Sequence, residues 1–103
     1  MTKQMVLQFT TAEGLDSYDK LIRFEEALIS LLGENAKVDG HDFGAGEMNV
    51  FLLTEEPNAI FTLVQQIDQT KYPSREMKVA YRPLDGEDYV CLWPPELKQF
   101  HIA

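Results

Sequence analysis

The sequence has few cysteines and few basic residues, and it has no long apolar run. Cys91 is the single cysteine in 103 residues, which excludes an internal disulfide framework and a four-thiolate zinc site and favours a reducing compartment. Apolar runs stay well short of the roughly 18 residues of a membrane-spanning helix, and the N-terminal stretch has no signal-peptide pattern. We therefore expect a cytoplasmic protein without a membrane anchor.

The shortage of positive charge limits the partners. Nine lysines and arginines stand against 17 acidic residues, which gives a formal net charge of −8. Nucleic acid and anionic lipid attract clustered Lys and Arg, so neither is an expected partner. With 45% hydrophobic side chains, the chain can bury one core and is too short for two domains. We expect a single domain over residues 1–103, with 95–103 as a C-terminal tail.

Apolar runs and alternations predict five strands. These are placed at residues 5–10, 36–41, 47–54, 77–82 and 89–93. The second of them alternates in character and begins with a lysine-bearing segment, which is typical of a sheet edge. Residues 42–46 contain two glycines and predict a turn between the second and third strands.

Helical spacing predicts two helices. The first spans 17–32 and ends before Gly33, and its apolar stripe consists of Leu21, Phe24, Leu28, Leu31 and Leu32. The second begins at Pro57, which suits a first helical position, and ends before Tyr72. Its predicted buried stripe consists of Ile60, Leu63, Val64 and Ile67.

The predicted order of elements is βαββαβ with one strand added in a C-terminal hairpin. This order resembles the ferredoxin-like fold, an α+β sandwich in which two helices cover one face of an antiparallel sheet. Residues 39–51, with the sequence DGHDFGAGEMNVF, also resemble a hairpin of small uncharacterised bacterial proteins with this fold. The resemblance carries no assigned activity, so it implies a fold and no functional residue.

In this chain order three connections lie at the same end of the sheet. They carry six acidic residues, which we call the acidic pole: Glu34, Glu55, Glu56, Asp85, Glu87 and Asp88. One interpretation is that these acids cap a helix and aid solubility. The other is a docking surface for a basic partner, such as a protein that this chain inhibits, with charge steering the encounter.

The third and fifth predicted strands are apolar on both faces. An antiparallel sheet with helices on one side commonly has polar residues on the other, so the second face needs cover. Its predicted residues are Phe51, Leu53, Tyr89 and Trp93. We expect this face to pair with a second copy in a homodimer. The alternative cover is the tail, through Leu97, Phe100 and Ile102.

The densest polar cluster surrounds the predicted hairpin. It consists of Asp39, His41, Asp42 and Glu47. An imidazole beside carboxylates can bind a divalent cation or act as a general acid or base. Strand alternation separates these side chains, however, and their spacing matches no metal-ligand motif, so an exposed hairpin is favoured. We predict no metal, cofactor or catalytic residue and do not expect an enzyme.

The main interpretation is a non-enzymatic acidic protein-binding domain, and the alternative is a small-molecule-binding regulatory module. Regulatory modules of this topology bind their ligand near the first strand–helix loop, here residues 10–16. Gly14 and the hydroxyls of Thr10 and Thr11 could hydrogen-bond an amine or carboxylate there. Cys91 lies among apolar residues and is expected to be a buried structural thiol.

Overall fold

The protein folds as two α-helices and a five-stranded sheet within the residues that its structure, a computed structural model, describes: 2–10, 17–44, 46–73 and 76–102. The elements are β1 (Lys3–Thr10), α1 (Ser17–Leu32), β2 (Lys37–Gly44), β3 (Glu47–Thr54), α2 (Pro57–Val64), a 3-10 helix (Gln69–Lys71), β4 (Met77–Pro83) and β5 (Val90–Trp93). Neither α-helix is long and apolar enough to cross a bilayer. The predicted α+β class is confirmed.

The strands form one antiparallel sheet in the order β2-β3-β1-β4-β5. β1 lies at the centre, where Val6 is opposite Phe51 of β3 and Ala80 of β4. β2 and β5 are therefore the two edges. An open sheet of this kind has two faces, and the two are covered by different parts of the chain.

The helices cover one face and form the larger core with it. Phe9 of β1 and Phe24 of α1 are fully buried and meet edge to face, with 5.1 Å between their ring centroids. Of the predicted stripe on α1, four residues are buried and Leu31 remains 37% exposed. Adjacent helical residues point roughly 100° apart, so Leu31 cannot share the face that Leu32 uses.

The second helix is shorter than predicted because the chain turns after Val64. The N–H groups of Gln66 and Ile67 donate to the carbonyls of Leu63 and Val64 at 3.0 and 3.1 Å, as in tight turns. The hydroxyl of Tyr72 donates to the Val64 carbonyl at 2.8 Å. Burial raises the pKa of that Tyr72 hydroxyl, and its bond closes the C-terminal end of α2.

The β2–β3 hairpin differs from the prediction in two ways. β2 extends to Gly44 and β3 begins at Glu47, so Phe43 lies in β2 rather than in a turn. The register with β3 also shifts between Val38 and His41, which marks a bulge. Gly40 within it has a φ of +110°, a conformation that favours glycine. The bulge breaks the simple alternation on which the side-chain directions in β2 were predicted.

Candidate functional site

Three connections meet at one end of the sheet and carry the acidic pole. Lys3 of β1 lies opposite both Thr54 of β3 and Pro83 of β4, and Lys37 of β2 lies opposite Leu53. The connections that precede β2 and follow β3 and β4 therefore share this end. All six residues of the acidic pole are exposed: Glu34, Glu55, Glu56, Asp85, Glu87 and Asp88.

Arg82 braces the β4–β5 connection from inside. Its Nη1 donates to the backbone carbonyls of Pro83, Leu84 and Gly86 at 3.2, 3.1 and 2.9 Å. A guanidinium bonded to several carbonyls holds a loop through charge-assisted hydrogen bonds. Arg82 thus fixes the curve of the loop that carries half of the acidic pole.

Thr54 joins the other two connections. Its hydroxyl donates to the Asn35 carbonyl at 3.2 Å and accepts from the Glu56 N–H at 3.1 Å. Lys3 Nζ donates to the Glu55 carbonyl at 3.4 Å. Each of these bonds goes to the backbone, so they set the course of the loops while the acidic side chains stay exposed.

The chain's own tail covers the sheet face opposite the helices. Phe100 is only 7% exposed and packs against Val6 and Ala80 of the central strands. Its ring lies 4.9 Å from that of Tyr89, centroid to centroid. Leu97 and Ile102 join the same cluster, together with Phe51 and Cys91. This is the alternative cover predicted for the face, and it occupies the centre of the surface expected to pair in a homodimer.

A buried polar pair ties the tail down at one margin of that face. Gln8 Nε2 donates to Asn49 Oδ1 at 3.0 Å and to the backbone carbonyl of His101 at 2.9 Å. Glu47 Oε1 lies 3.3 Å from the same nitrogen. Buried amides are costly without partners, so Gln8 and Asn49 favour a docked tail as well as an intact sheet.

The four residues predicted to form this face do not lie together. Phe51 and Tyr89 belong to the tail-covered cluster, and Leu53 is half-buried further along the face, opposite Gln4. Trp93 was placed wrongly. Its ring packs at 5.9 Å on that of Phe61 from α2, because a register shift between Val79 and Ala80 in the β4–β5 pairing breaks the alternation of β5.

His41 contacts α1 rather than the carboxylates near it in sequence. Its Nδ1 donates to Glu25 Oε1 at 2.6 Å, and Glu25 is only 9% exposed. The Tyr18 hydroxyl lies 3.4 Å from His41 Nε2. The Tyr18 ring also packs edge to face on His41 and Phe43, at 5.7 and 5.6 Å between centroids. These contacts fasten β2 to α1.

The predicted polar cluster is dispersed by the strand. His41 lies opposite Val50, whose side chain is in the helix-covered core, whereas Asp42 lies opposite Asn49 of the other face. Asp39 is within the bulge and exposed. Among the described residues, no group of three or more His, Cys, Asp or Glu side chains is placed to hold a metal ion.

The Glu25–His41 contact is the one the sequence analysis missed. A carboxylate that orients an imidazole is one half of a general-base arrangement, but here the other ring nitrogen faces the Tyr18 hydroxyl rather than a serine, threonine or cysteine. Tyr18 and Glu25 are seven residues, or two helical turns, apart, which puts both on one side of α1. The sequence signal for this contact was Glu25 itself, a charged residue at a position of the apolar stripe between Leu21 and Leu28.

The other predicted residues lie apart from these clusters. Cys91 is half-buried beside the tail, so its surroundings are apolar but its burial is incomplete. Thr10 is exposed at the end of β1, and residues 11–16 of the proposed ligand loop lie outside the described residues.

Comparisons with protein-family models, with curated proteins and with solved structures gave no match. A proposal for its function therefore has to rest on the geometry and charge of the chain itself.

Proposed function

We propose that the protein is a non-enzymatic, acidic protein-binding domain whose acidic pole docks on a basic partner, such as a protein that it inhibits. The observation that carries this proposal is the strand register, which gathers three connections and six exposed carboxylates at one end. The covered sheet face supports the same choice, because an apolar surface already occupied by the tail offers less to an outside partner.

The charge of the acidic pole is expected to raise the association rate with a partner as well as the affinity. Exposed charges act over about a Debye length, roughly 8 Å at physiological ionic strength. Six carboxylates on braced loops produce a field that can raise association rates by about 10- to 1,000-fold for an oppositely charged partner. Lys3, Lys37 and Arg82 lie near this end and offset part of the field, so the outer loops make the largest contribution.

We also propose that the topology is ferredoxin-like. The order β2-β3-β1-β4, with α1 after β1 and α2 after β3, supports it, and β5 is then an addition at the β4 edge. A cytoplasmic, bacterial setting completes the proposal. The single cysteine and the hairpin resemblance support that setting.

Association kinetics test the docking proposal. The partner is first captured from the native cell and purified, and its association rate is then measured over a range of salt concentrations. The pole variant carries three neutral substitutions: Glu34→Gln, Glu87→Gln and Asp88→Asn. The matched control carries the same change in net charge at exposed positions elsewhere: Asp19→Asn, Glu26→Gln and Glu96→Gln.

We expect the pole variant to associate at least about tenfold more slowly at low salt, with a flatter salt dependence, because rim charges act mainly on association. The control should retain the wild-type rate within about twofold. Equal slowing of both variants would show that net charge alone, and not the acidic pole, determines the association rate. A wild-type rate that does not change with salt would remove the proposal.

A further inference from the structure

β2 is a sheet edge with large apolar side chains around it. Within the described residues it pairs with β3 alone, and seven of its eight residues, all but Val38, are exposed. Tyr18 and Phe43, which touch each other, are 46% and 42% exposed. Ile29 is 58% exposed and lines an open cleft of about 410 Å³ with Ala36 and Val38. An unpaired edge offers backbone N–H and C=O groups that only another extended strand can satisfy in series.

We propose that this edge binds the β2 edge of a second copy of the chain. The two strands run antiparallel about a two-fold axis, so the two five-stranded sheets become one sheet of ten strands. An isologous contact of this kind is the commonest form of homodimer. This moves the expected homodimer from the sheet face, which the tail covers, to the β2 edge.

Charge favours one register for the pairing. When Lys37 lies opposite Asp42 of the second copy, Val38 lies opposite His41, and the two bulges meet at the axis. Lys37 lies opposite Leu53, and Asp42 lies opposite Asn49. Leu53 and Asn49 are each two positions from Phe51 in β3 and share its face, so Lys37 and Asp42 are on the same sheet face. The two-fold axis creates this opposite-charge pair twice, and such cross-strand pairs stabilise a sheet.

The same charges oppose two alternative registers. A pairing centred on Asp42 places two carboxylates directly opposite each other, and one centred on Asp39 does the same. Like charges in these positions destabilise a ladder. Charges and a bulge protect edge strands from indiscriminate pairing. In β2 the alignment over residues 37–42 avoids both of these like-charge contacts and pairs opposite charges instead. Within the described residues neither Lys37 nor Asp42 forms an ion pair inside its own chain.

The antiparallel arrangement also reduces the repulsion between two chains of net charge −8. The acidic pole lies at the end of the sheet where β2 begins. Two antiparallel β2 strands therefore point the poles in opposite directions. In the register given above, the two β2 strands begin five residues apart along the strand direction, roughly 17 Å, which is about two Debye lengths at physiological salt, so repulsion between the two poles is largely screened.

Charge reversal with rescue tests the proposal. Sedimentation velocity is measured over a wide concentration range for the wild type, Lys37→Glu, Asp42→Lys, the double variant K37E/D42K, and an equimolar mixture of the two single variants. Both side chains are exposed, so folding should be retained, and circular dichroism checks it.

We expect a concentration-dependent dimer for the wild type. Each single variant replaces two opposite-charge pairs by two like-charge pairs and should weaken the dimer by about tenfold or more. The double variant and the mixture restore both opposite-charge pairs, so both should dimerise again. The mixture keeps each chain's net charge unchanged, which separates the pairing from any effect of overall charge.

Three results would overturn the proposal. The first is a wild type that sediments as a monomer up to its solubility limit. The second is a dimer that survives in both single variants, which would indicate another surface, such as the sheet face after release of the tail. The third is a mixture of the single variants that stays monomeric.

Discussion

The two faces of the sheet are both apolar, but they are covered in different ways. On one face α1 and α2 bury fully enclosed residues such as Phe9 and Phe24. The other face is covered by an irregular segment of the tail, in which Phe100 is the large buried side chain. The hydrogen bond from Gln8 to the His101 carbonyl holds this segment on the sheet. The comparison shows that an apolar strand pattern signals the need for cover without specifying the cover.

The difference has an energetic consequence. Helices bring a whole row of side chains to the sheet at regular spacing, so the cost of ordering them is shared over many contacts. The tail orders its residues for a few contacts around Val6, Ala80 and Tyr89. We therefore expect the helix-covered face to contribute most of the stability and the tail-covered face to open first.

The largest effect is expected at Phe24. Phe24→Ala removes a fully buried ring that contacts the rings of Phe9 and Tyr72, and the cavity should lower the free energy of unfolding by about 4 kcal/mol. Urea denaturation measures it. Phe24→Leu retains much of the volume and should lose less than half as much. A loss below about 1 kcal/mol for the alanine variant would show that the two faces do not differ as described.

A smaller loss is expected at Phe100. Phe100→Ala should lower the free energy of unfolding by about 2 kcal/mol, because the ring is buried by one segment rather than enclosed on all sides. Binding of an apolar dye should rise as the face around Val6 and Phe51 opens. Lys98→Ala, at an exposed site in the same tail, is the control and should stay within about 0.5 kcal/mol. An unchanged stability for Phe100→Ala would exclude the tail as the cover.

Tyr72 lies at the rim of the helix-covered face and gives a pH-dependent test. Tyr72→Phe loses the bond to the Val64 carbonyl and should cost about 1 kcal/mol in thermal or urea unfolding. Burial raises the pKa of the Tyr72 hydroxyl, so the folded state favours the neutral form. That stabilisation is fully present below the unfolded tyrosine pKa of about 10 and is lost as pH rises through the folded pKa. A wild type and a Tyr72→Phe variant with identical alkaline profiles would contradict this.

The smallest effect is expected at Asp68, which belongs to neither face. Asp68 Oδ1 accepts bonds from the Thr70 N–H and hydroxyl at 2.9 and 3.0 Å, and these bonds lower the pKa of the Asp68 carboxyl. Its contribution is present above the unfolded aspartate pKa and is lost as pH falls through the lower folded value. Asp68→Asn should therefore remove a small stabilisation above that pKa and flatten the acid end of the stability profile. If Asp68→Asn lowered the free energy of unfolding near neutral pH as much as Phe100→Ala does, the prediction of a small effect at this exposed residue would be wrong.

The regular elements were the predictable part of the fold. The bounds of α1 and β3 agree with those expected from helical spacing and from an apolar run bounded by turn residues. α2 was predicted too long, because the Tyr72 hydroxyl and tight turns after Val64 end it, and those are tertiary contacts. The bulge at Gly40 was missed, since a glycine inside an alternating strand does not by itself say where the register shifts.

The candidate site was predictable only where topology alone decides it. The residues of the acidic pole could be grouped from the chain order, because in a βαββαβ arrangement each strand and each helix takes the chain from one end of the sheet to the other. The contact between His41 and Glu25 could not be predicted in this way, because it joins a strand and a helix and depends on the bulge that turns His41 toward α1. Trp93 was placed on the wrong face for the same kind of reason, a register shift in β4–β5.

The central claim is that the chain's own tail covers the second face of the sheet, and isotope-filtered nuclear Overhauser measurements test it most directly. In an equimolar mixture of labelled and unlabelled protein, we predict cross-peaks from the Phe100 ring to Val6 and Tyr89 within one copy and none between copies. Cross-peaks from Phe100 of one copy to Val6 or Tyr89 of the other, or no contact of Phe100 with either residue, would contradict it.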